Sequence, residues 1–305
     1  MPFALKSLHV QHPQKAFLFF IRELGYSQKD AQSLIARGRV LINGKPMTNS
    51  AQEISGDIEY ICFEPISKGM KPVYETDDFV LYDKPNKMLV HPQNRYTPYS
   101  LIDELKYQYG NKANIVHRLD METSGLVLCS KSKESERDLK KLFENRSIKK
   151  RYLAFVFGEI SKEFTCDAPL KVFKDKSSPI IRSIVKVDND GKSSETYFKP
   201  ITYFKNLDMT LIECFPRTGR QHQIRVHLFH VKHPIVGDPL YGAQESVTAQ
   251  YLDKQLDIDK RIKMTGSARL LLHADMLSFH YRDIDYEIQS KLDFVGVCKE
   301  NVNNF

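Results

Sequence analysis

His117-Arg118-Leu119-Asp120-Met121-Glu122-Thr123-Ser124-Gly125 stands near the middle of a chain of 305 residues. An arginine and a carboxylate flank one leucine, and a small Thr-Ser-Gly closes the run. Ile115 and Val116 precede it; Leu126, Val127 and Leu128 follow. The pattern predicts a buried strand, a polar turn and a second buried strand. A charge pair held at such a turn can be aimed rigidly at a ligand. A carboxylate between apolar strands needs a partner to stay ionised, and Thr-Ser-Gly permits close backbone approach.

Around this run, strand-like and helical stretches alternate. Residues Phe79 to Tyr82, Leu126 to Cys129, Tyr152 to Phe157 and Met209 to Phe215 read as strands. Leu101 to Tyr107, Asp138 to Phe143 and Gln221 to Val231 read as helices. The strands are short and amphipathic, which predicts an α+β domain on a mixed or antiparallel sheet rather than a doubly wound one.

Residues 13–60 behave as a separate unit. Phe17, Phe20, Ile21 and Leu24 recur at helical spacing before Gly25. Ser27 with Asp30 opens a second helix in the arrangement of a capping box with a shorter acid. Ala31, Leu34 and Ile35 form its stripe, and Gly38 ends it. Val40-Leu41-Ile42 reads as a strand and Asn43-Gly44 as a hairpin turn. No acid occurs from Ala31 to Gln52, whereas Arg37, Arg39 and Lys45 do. These three are candidate phosphate contacts, set against an ordinary solvated face.

Composition sets the class. At 41% hydrophobic and 27% charged, the chain reads as globular rather than disordered. A net charge of +7 favours an anionic partner without identifying it. Cys62, Cys129, Cys166, Cys214 and Cys298 contain no C-x-x-C pair and read as free thiols in a reducing cytosol. No apolar stretch reaches ~18 residues, so no membrane span is expected. The run Ala16-Phe17-Leu18-Phe19-Phe20-Ile21 is too short for a signal peptide and ends on Arg22-Glu23. A cytoplasmic protein is expected.

Three further segments carry candidate chemistry. The first is Phe215-Pro216-Arg217-Thr218-Gly219-Arg220-Gln221-His222-Gln223-Ile224-Arg225-Val226-His227. Ile224, Leu228 and Val231 mark a helix face, with Thr218-Gly219 at its start. From Cys214 to Gly237 there is no acid, while Arg217, Arg220, Arg225 and Lys232 are present. A helix N-terminus with arginines attracts anions. His222, His227, His230 and His233 do not share one helical face, and the neighbouring arginines oppose a divalent ion, so no metal site is expected. The second segment is Lys150-Arg151-Tyr152-Leu153-Ala154-Phe155-Val156-Phe157-Gly158. Before it, Lys131 to Arg151 holds nine basic and four acidic residues, an RNA path or a solvated helix. The third is Lys84-Pro85-Asn86-Lys87-Met88-Leu89-Val90-His91-Pro92.

The 117–125 run resembles the H-R-L-D-x-x-T-S-G signature of the RluA family of pseudouridine synthases at every fixed position. The other segments resemble that family's T-G-R-x-H-Q-I-R-x-H, K-x-Y-x-A-x-V-x-G and K-P-x-G-x-x-V-H-P motifs; Lys87 stands at the usual glycine of the last. Gly237-Asp238-Pro239-Leu240-Tyr241-Gly242 resembles a continuation of the first. Residues 31–45, with Gly56-Asp57, resemble an S4 RNA-binding domain, although Pro13-Gln14-Lys15 stands where that family opens with Arg-Leu-Asp.

The resemblance implies a long mixed, mainly antiparallel sheet and an isomerase that turns uridine into pseudouridine. It implies Asp120 as the catalytic residue and Arg118 as the group that displaces the base. Tyr152 would stack on the target uracil, as flipped bases are commonly held. Arg220 would pair with Asp120, and Arg225 would take that place if it does not. Uridine isomerisation needs no redox step, so no cofactor and no metal are expected. The expected partner is RNA, with large-subunit rRNA ahead of tRNA, and the expected state is a monomer without membrane attachment. The expected division is 1–60 S4-like unit, 61–73 linker, 74–295 catalytic domain and 296–305 tail. Two other readings stand beside this one. A non-catalytic RNA-binding protein would have no use for Asp120, Arg220 and Tyr152 together. A serine hydrolase using Ser124 lacks the first glycine of G-x-S-x-G.

Overall fold

A computed structural model of the chain describes residues 2–175 and 182–302. It is an α+β protein with a ten-stranded sheet and a separate four-stranded one.

The four-stranded sheet belongs to the N-terminal unit. The helices Ala16–Leu24 and Gln28–Ala36 pack on it, with Gly25 at φ 68 closing the first and Ser27 accepting the Asp30 backbone N–H at the start of the second. Val40–Ile42 and Lys45–Met47 pair through a two-residue turn in which Asn43 (φ 51) and Gly44 (φ 73) both take positive φ. Phe20, Ile35, Val40 and Ile58 anchor a core of this unit's own. Two features depart from expectation. A 13-residue strand, Phe3–Lys15, precedes the first helix and pairs with Glu53–Phe63. That second strand also runs three residues past the expected boundary at 60. Ser67 and Lys68 of the expected linker are held by the Glu104 carboxylate on helix Leu101–Tyr109.

The large sheet is antiparallel except at one place. Strand Ser124–Ser130 lies parallel to Leu272–Tyr281, with His273 opposite Ser124 and Ala274 opposite Gly125. On one flank of this junction lie Phe79–Lys84, Tyr74–Glu75 and Asn114–Ile115; on the other lie Lys149–Phe157, Met209–Pro216, Thr196–Phe204 and Phe164–Cys166. The backbones approach very closely. A Cβ on Gly125, which sits at φ +112, would lie 2.2 Å from the Ala274 carbonyl oxygen. The close approach that Thr-Ser-Gly permits is therefore made by a neighbouring strand.

Register then explains how distant segments meet. Lys84 pairs with Gly125, Gly125 with Ala274, Ala274 with Tyr152, and Tyr152 with Cys214. One row across the sheet thus joins the 84–92, 117–125, 150–158 and 215–227 segments. The helix Phe294–Asn301 buries Phe294 and Cys298 against the sheet. It crosses the boundary expected at 295, so residues 296–302 are packed helix and its end rather than tail; residues 303–305 lie outside the described residues. No helix among the described residues is long and apolar enough to cross a membrane.

Candidate active site

The turn before strand Ser124–Ser130 opens onto a pocket of about 100 Å³, lined among others by Arg118, Asp120, Lys150, Tyr152, Arg220 and Arg225. Pockets for drug-sized ligands run to several hundred Å³, so this one is small.

Asp120 faces it with a partly exposed carboxylate. Its cation is Arg225, whose Nη1 lies 3.5 Å from Asp120 Oδ2. This corrects the expectation of Arg220. The helix begins at Gln223, two residues later than the periodicity places it, so Arg225 lies in its first turn and points inward, 2% exposed. Arg220 lies in the preceding turn, where Nε donates to the Ser193 carbonyl at 3.1 Å. Gln223 shapes that turn: its side-chain oxygen accepts from the Arg220 N–H and the Thr218 hydroxyl.

Arg225 is itself held in place. Its Nε and Nη2 donate to the two oxygens of Asp238, at 2.7 and 2.8 Å. Tyr241 lies under the guanidinium, 5.1 Å from its ring centroid. Burial opposes the charge, but Asp238 and then Asp120 raise the pKa well above the ordinary value. The Gly237-Asp238-Pro239 run gives no sign of this role in the sequence. Asp238 Oδ1 also accepts from the Leu240 and Tyr241 N–H groups, so it locks the whole turn.

His222 takes φ 54 at the helix entry, donates to or accepts from Tyr241 through Nδ1, and places Nε2 3.8 Å from Asp120. Burial lowers its pKa while Asp120 pulls the other way. His227 is buried among Ser194, Thr196 and the Ala168 carbonyl, and His233 bonds the Phe157 carbonyl.

Tyr152 lies in the same pocket, its pKa raised by burial and then by Asp120. Arg118 is exposed at the rim and forms no ion pair among the described residues. Beneath the turn sits Lys84, fully buried, donating to the carbonyls of Pro85, Met88 and Met121. Lys87 adopts φ 63, the left-handed conformation that glycine takes without strain.

Glu122 occupies a free position of the signature and is a hub. Arg261 Nη2 donates to it at 2.9 Å, Tyr251 at 3.2 Å, and the Asn86 amide reaches both its carbonyl and its carboxylate. It ties the turn to helices Glu245–Leu252 and Ile258–Thr265. Ser124 is 1% exposed, accepts from Arg269 Nη2 at 2.6 Å and meets His273 Nδ1 at 2.9 Å. An enclosed hydroxyl of this kind joins the strands and excludes the hydrolase reading.

The RNA pseudouridylate synthase family profile matches residues 78–230, half of the chain and all of the pocket's motif residues. A Helicobacter pylori (strain ATCC 700392 / 26695) protein described as an uncharacterized RNA pseudouridine synthase is 38% identical over 96% of this chain and 95% of its own. The chain belongs to the RNA pseudouridine synthase family. The synthase is also 31% identical to ribosomal large subunit pseudouridine synthase D of Escherichia coli (strain K12), over 72% of this chain and 69% of that one. Among solved structures, human RNA pseudouridylate synthase domain containing 1 superposes with a TM-score of 0.55 at 23% identity, covering 75% of the synthase and 86% of its own chain, a likeness of fold. The chain is thus an isomerase of uridine in RNA.

Proposed function

We propose that this synthase isomerises uridine in large-subunit rRNA with Asp120 as its catalytic residue. The observation that carries the reading is the Arg225–Asp120 contact of 3.5 Å inside a pocket that Tyr152 also lines. Relatives named ribosomal large subunit pseudouridine synthase D in Escherichia coli and Buchnera aphidicola support rRNA over tRNA as the substrate.

The reaction breaks N1–C1′, turns the base and joins C5 to C1′. C1′ gains positive character as the base leaves, as in glycoside cleavage. Asp120 serves that carbon by covalent attack, by stabilising its charge or by taking the C2′ proton; each role uses its negative charge. Arg225 sets a fixed cation beside the carboxylate and, through Asp238, fixes where it points. Arg118 at the rim occupies the gap left by the extruded base, and Tyr152 stacks on that base inside. Arg220 binds near the mouth of the pocket. No step changes oxidation state, so the chemistry requires no cofactor. Arg37, Arg39 and Lys45 lie on the N-terminal unit, which acts as an S4-like RNA-binding module for a cytoplasmic, monomeric enzyme. Arg37 and Lys45 are exposed, while Arg39 packs over Phe3 at 5.0 Å.

The test is to map pseudouridine in total cellular RNA with and without the gene. The expected result is loss of one or a few positions in large-subunit rRNA. Loss confined to tRNA makes tRNA the substrate, and an unchanged map overturns the reading.

A further inference from the structure

Lys150 lines the pocket beside Tyr152. It stands two residues before Tyr152 on strand Lys149–Phe157, so both side chains leave the same face of the sheet. The spacing along a strand is about 7 Å for two residues. A ring stacked on Tyr152 therefore has Lys150 at its edge, within the same pocket.

The ammonium has donors to spare. Among the described residues it gives one hydrogen bond, to the Thr218 carbonyl at 3.2 Å, and forms no ion pair. An ammonium carries three donors, so two remain for a ligand. The other cations of the pocket are differently placed: Arg225 is bound to Asp238, Arg220 turns to Ser193, and Arg118 lies at the rim.

We propose that Lys150 is a further catalytic residue, donating hydrogen bonds to the uracil ring while it is detached from the sugar. This rests on the reaction assigned above. When C1′–N1 breaks with its electron pair staying on N1, the base becomes an anion spread over N1, O2 and O4. The anion turns, C5 bonds to C1′, and the C5 proton is released as N1 takes one up, so the product is an isomer. Lys150 donates throughout and ends unchanged. A preorganised donor aimed at charge that develops only during reaction lowers the barrier more than it tightens binding.

Burial, more than the groups that face it, makes the charge of Lys150 pH-sensitive near neutrality. Burial lowers its pKa to about 8, with Arg146 adding to the effect. His117, packed close by, is held neutral by burial, at about 3. Across the pocket stand Asp120, Arg118, Arg220, His222 and Arg225. A lysine with a pKa lowered to about 8 is charged below that pH and neutral above it, so the rate falls as pH rises past about 8.

The experiment measures single-turnover pseudouridine formation at saturating enzyme, on a mixture of unmodified large-subunit rRNA and tRNA transcripts. Lys150→Met is expected to slow the step about 100- to 1000-fold with RNA affinity within about twofold. Lys150→Arg, which stays charged, is expected to keep most of the rate and to move the alkaline fall upward; a structural bond to Thr218 alone would leave the pH profile where it is. A Lys150→Met rate equal to wild type overturns the proposal. So does a loss confined to RNA affinity, which would mark a phosphate contact, or one shared alkaline limb in wild type and Lys150→Arg. An Asp120→Ala variant in parallel separates the two readings. Full activity there overturns the underlying reaction, whereas an inactive Asp120→Ala with a fast Lys150→Met overturns only the lysine's part.

Discussion

At the residue scale, two arginines five positions apart have different work. Arg225 is buried, bidentate to Asp238 and directed at Asp120; Arg220 is half-buried in a turn. A lysine at 225 keeps the charge but loses the planar fork. Arg225→Lys is expected to lower the chemical rate at least about tenfold by letting Asp120 drift, while Arg220→Lys changes it about twofold or less; equal effects in a single-turnover assay would refute the distinction. Lys84 permits a stability test. Lys84→Met leaves three carbonyls without their buried donor and is expected to cost about 3 kcal/mol in denaturant unfolding. That Asp120, Arg118 and Tyr152 share one pocket was legible because the motifs name residue types at fixed spacings. The choice between Arg220 and Arg225 was not, because periodicity finds a helix and not the phase of its first turn. Glu122 and Asp238 were also hidden, since a carboxylate's partners lie 139 and 13 residues away in sequence.

At the element scale, the parallel junction holds the site together. Gly125 sits where Ala274 leaves no room for a Cβ and where φ is +112. Gly125→Ala is expected to cost at least about 2 kcal/mol and to lower activity with it; a variant melting like wild type would show that the junction yields. The helices around it were readable from their buried stripes, and strands Phe79–Lys84 and Ser124–Ser130 as short apolar runs buried almost throughout. Strand Phe3–Lys15 was not. Only Val10 along it is buried and Pro13 interrupts it, so the period-two signal is missing. Its partner Glu53–Phe63 supplies the order that its own sequence does not.

At the scale of the whole molecule, the N-terminal unit has its own core and its own cations, and the large sheet carries the chemistry. Division of labour between them has a measurable signature. Arg37→Ala and Lys45→Ala are each expected to weaken RNA binding and to reduce the log–log salt slope by about 1, with the single-turnover rate at saturating enzyme unchanged. A changed rate with unchanged affinity would contradict that division. The fold class was legible from the alternation of short strand-like and helical runs, although the central strands prove buried on both faces rather than amphipathic; the order of strands was not, because the row from Lys84 to Cys214 is set by pairings between residues far apart in the chain. That row brings Asp120 to the pocket, and everything else depends on it. The most direct measurement is the single-turnover rate of pseudouridine formation by Asp120→Asn, a substitution that keeps shape and removes charge. The account expects no product above background with RNA affinity and melting temperature close to wild type; product at the wild-type rate would contradict it.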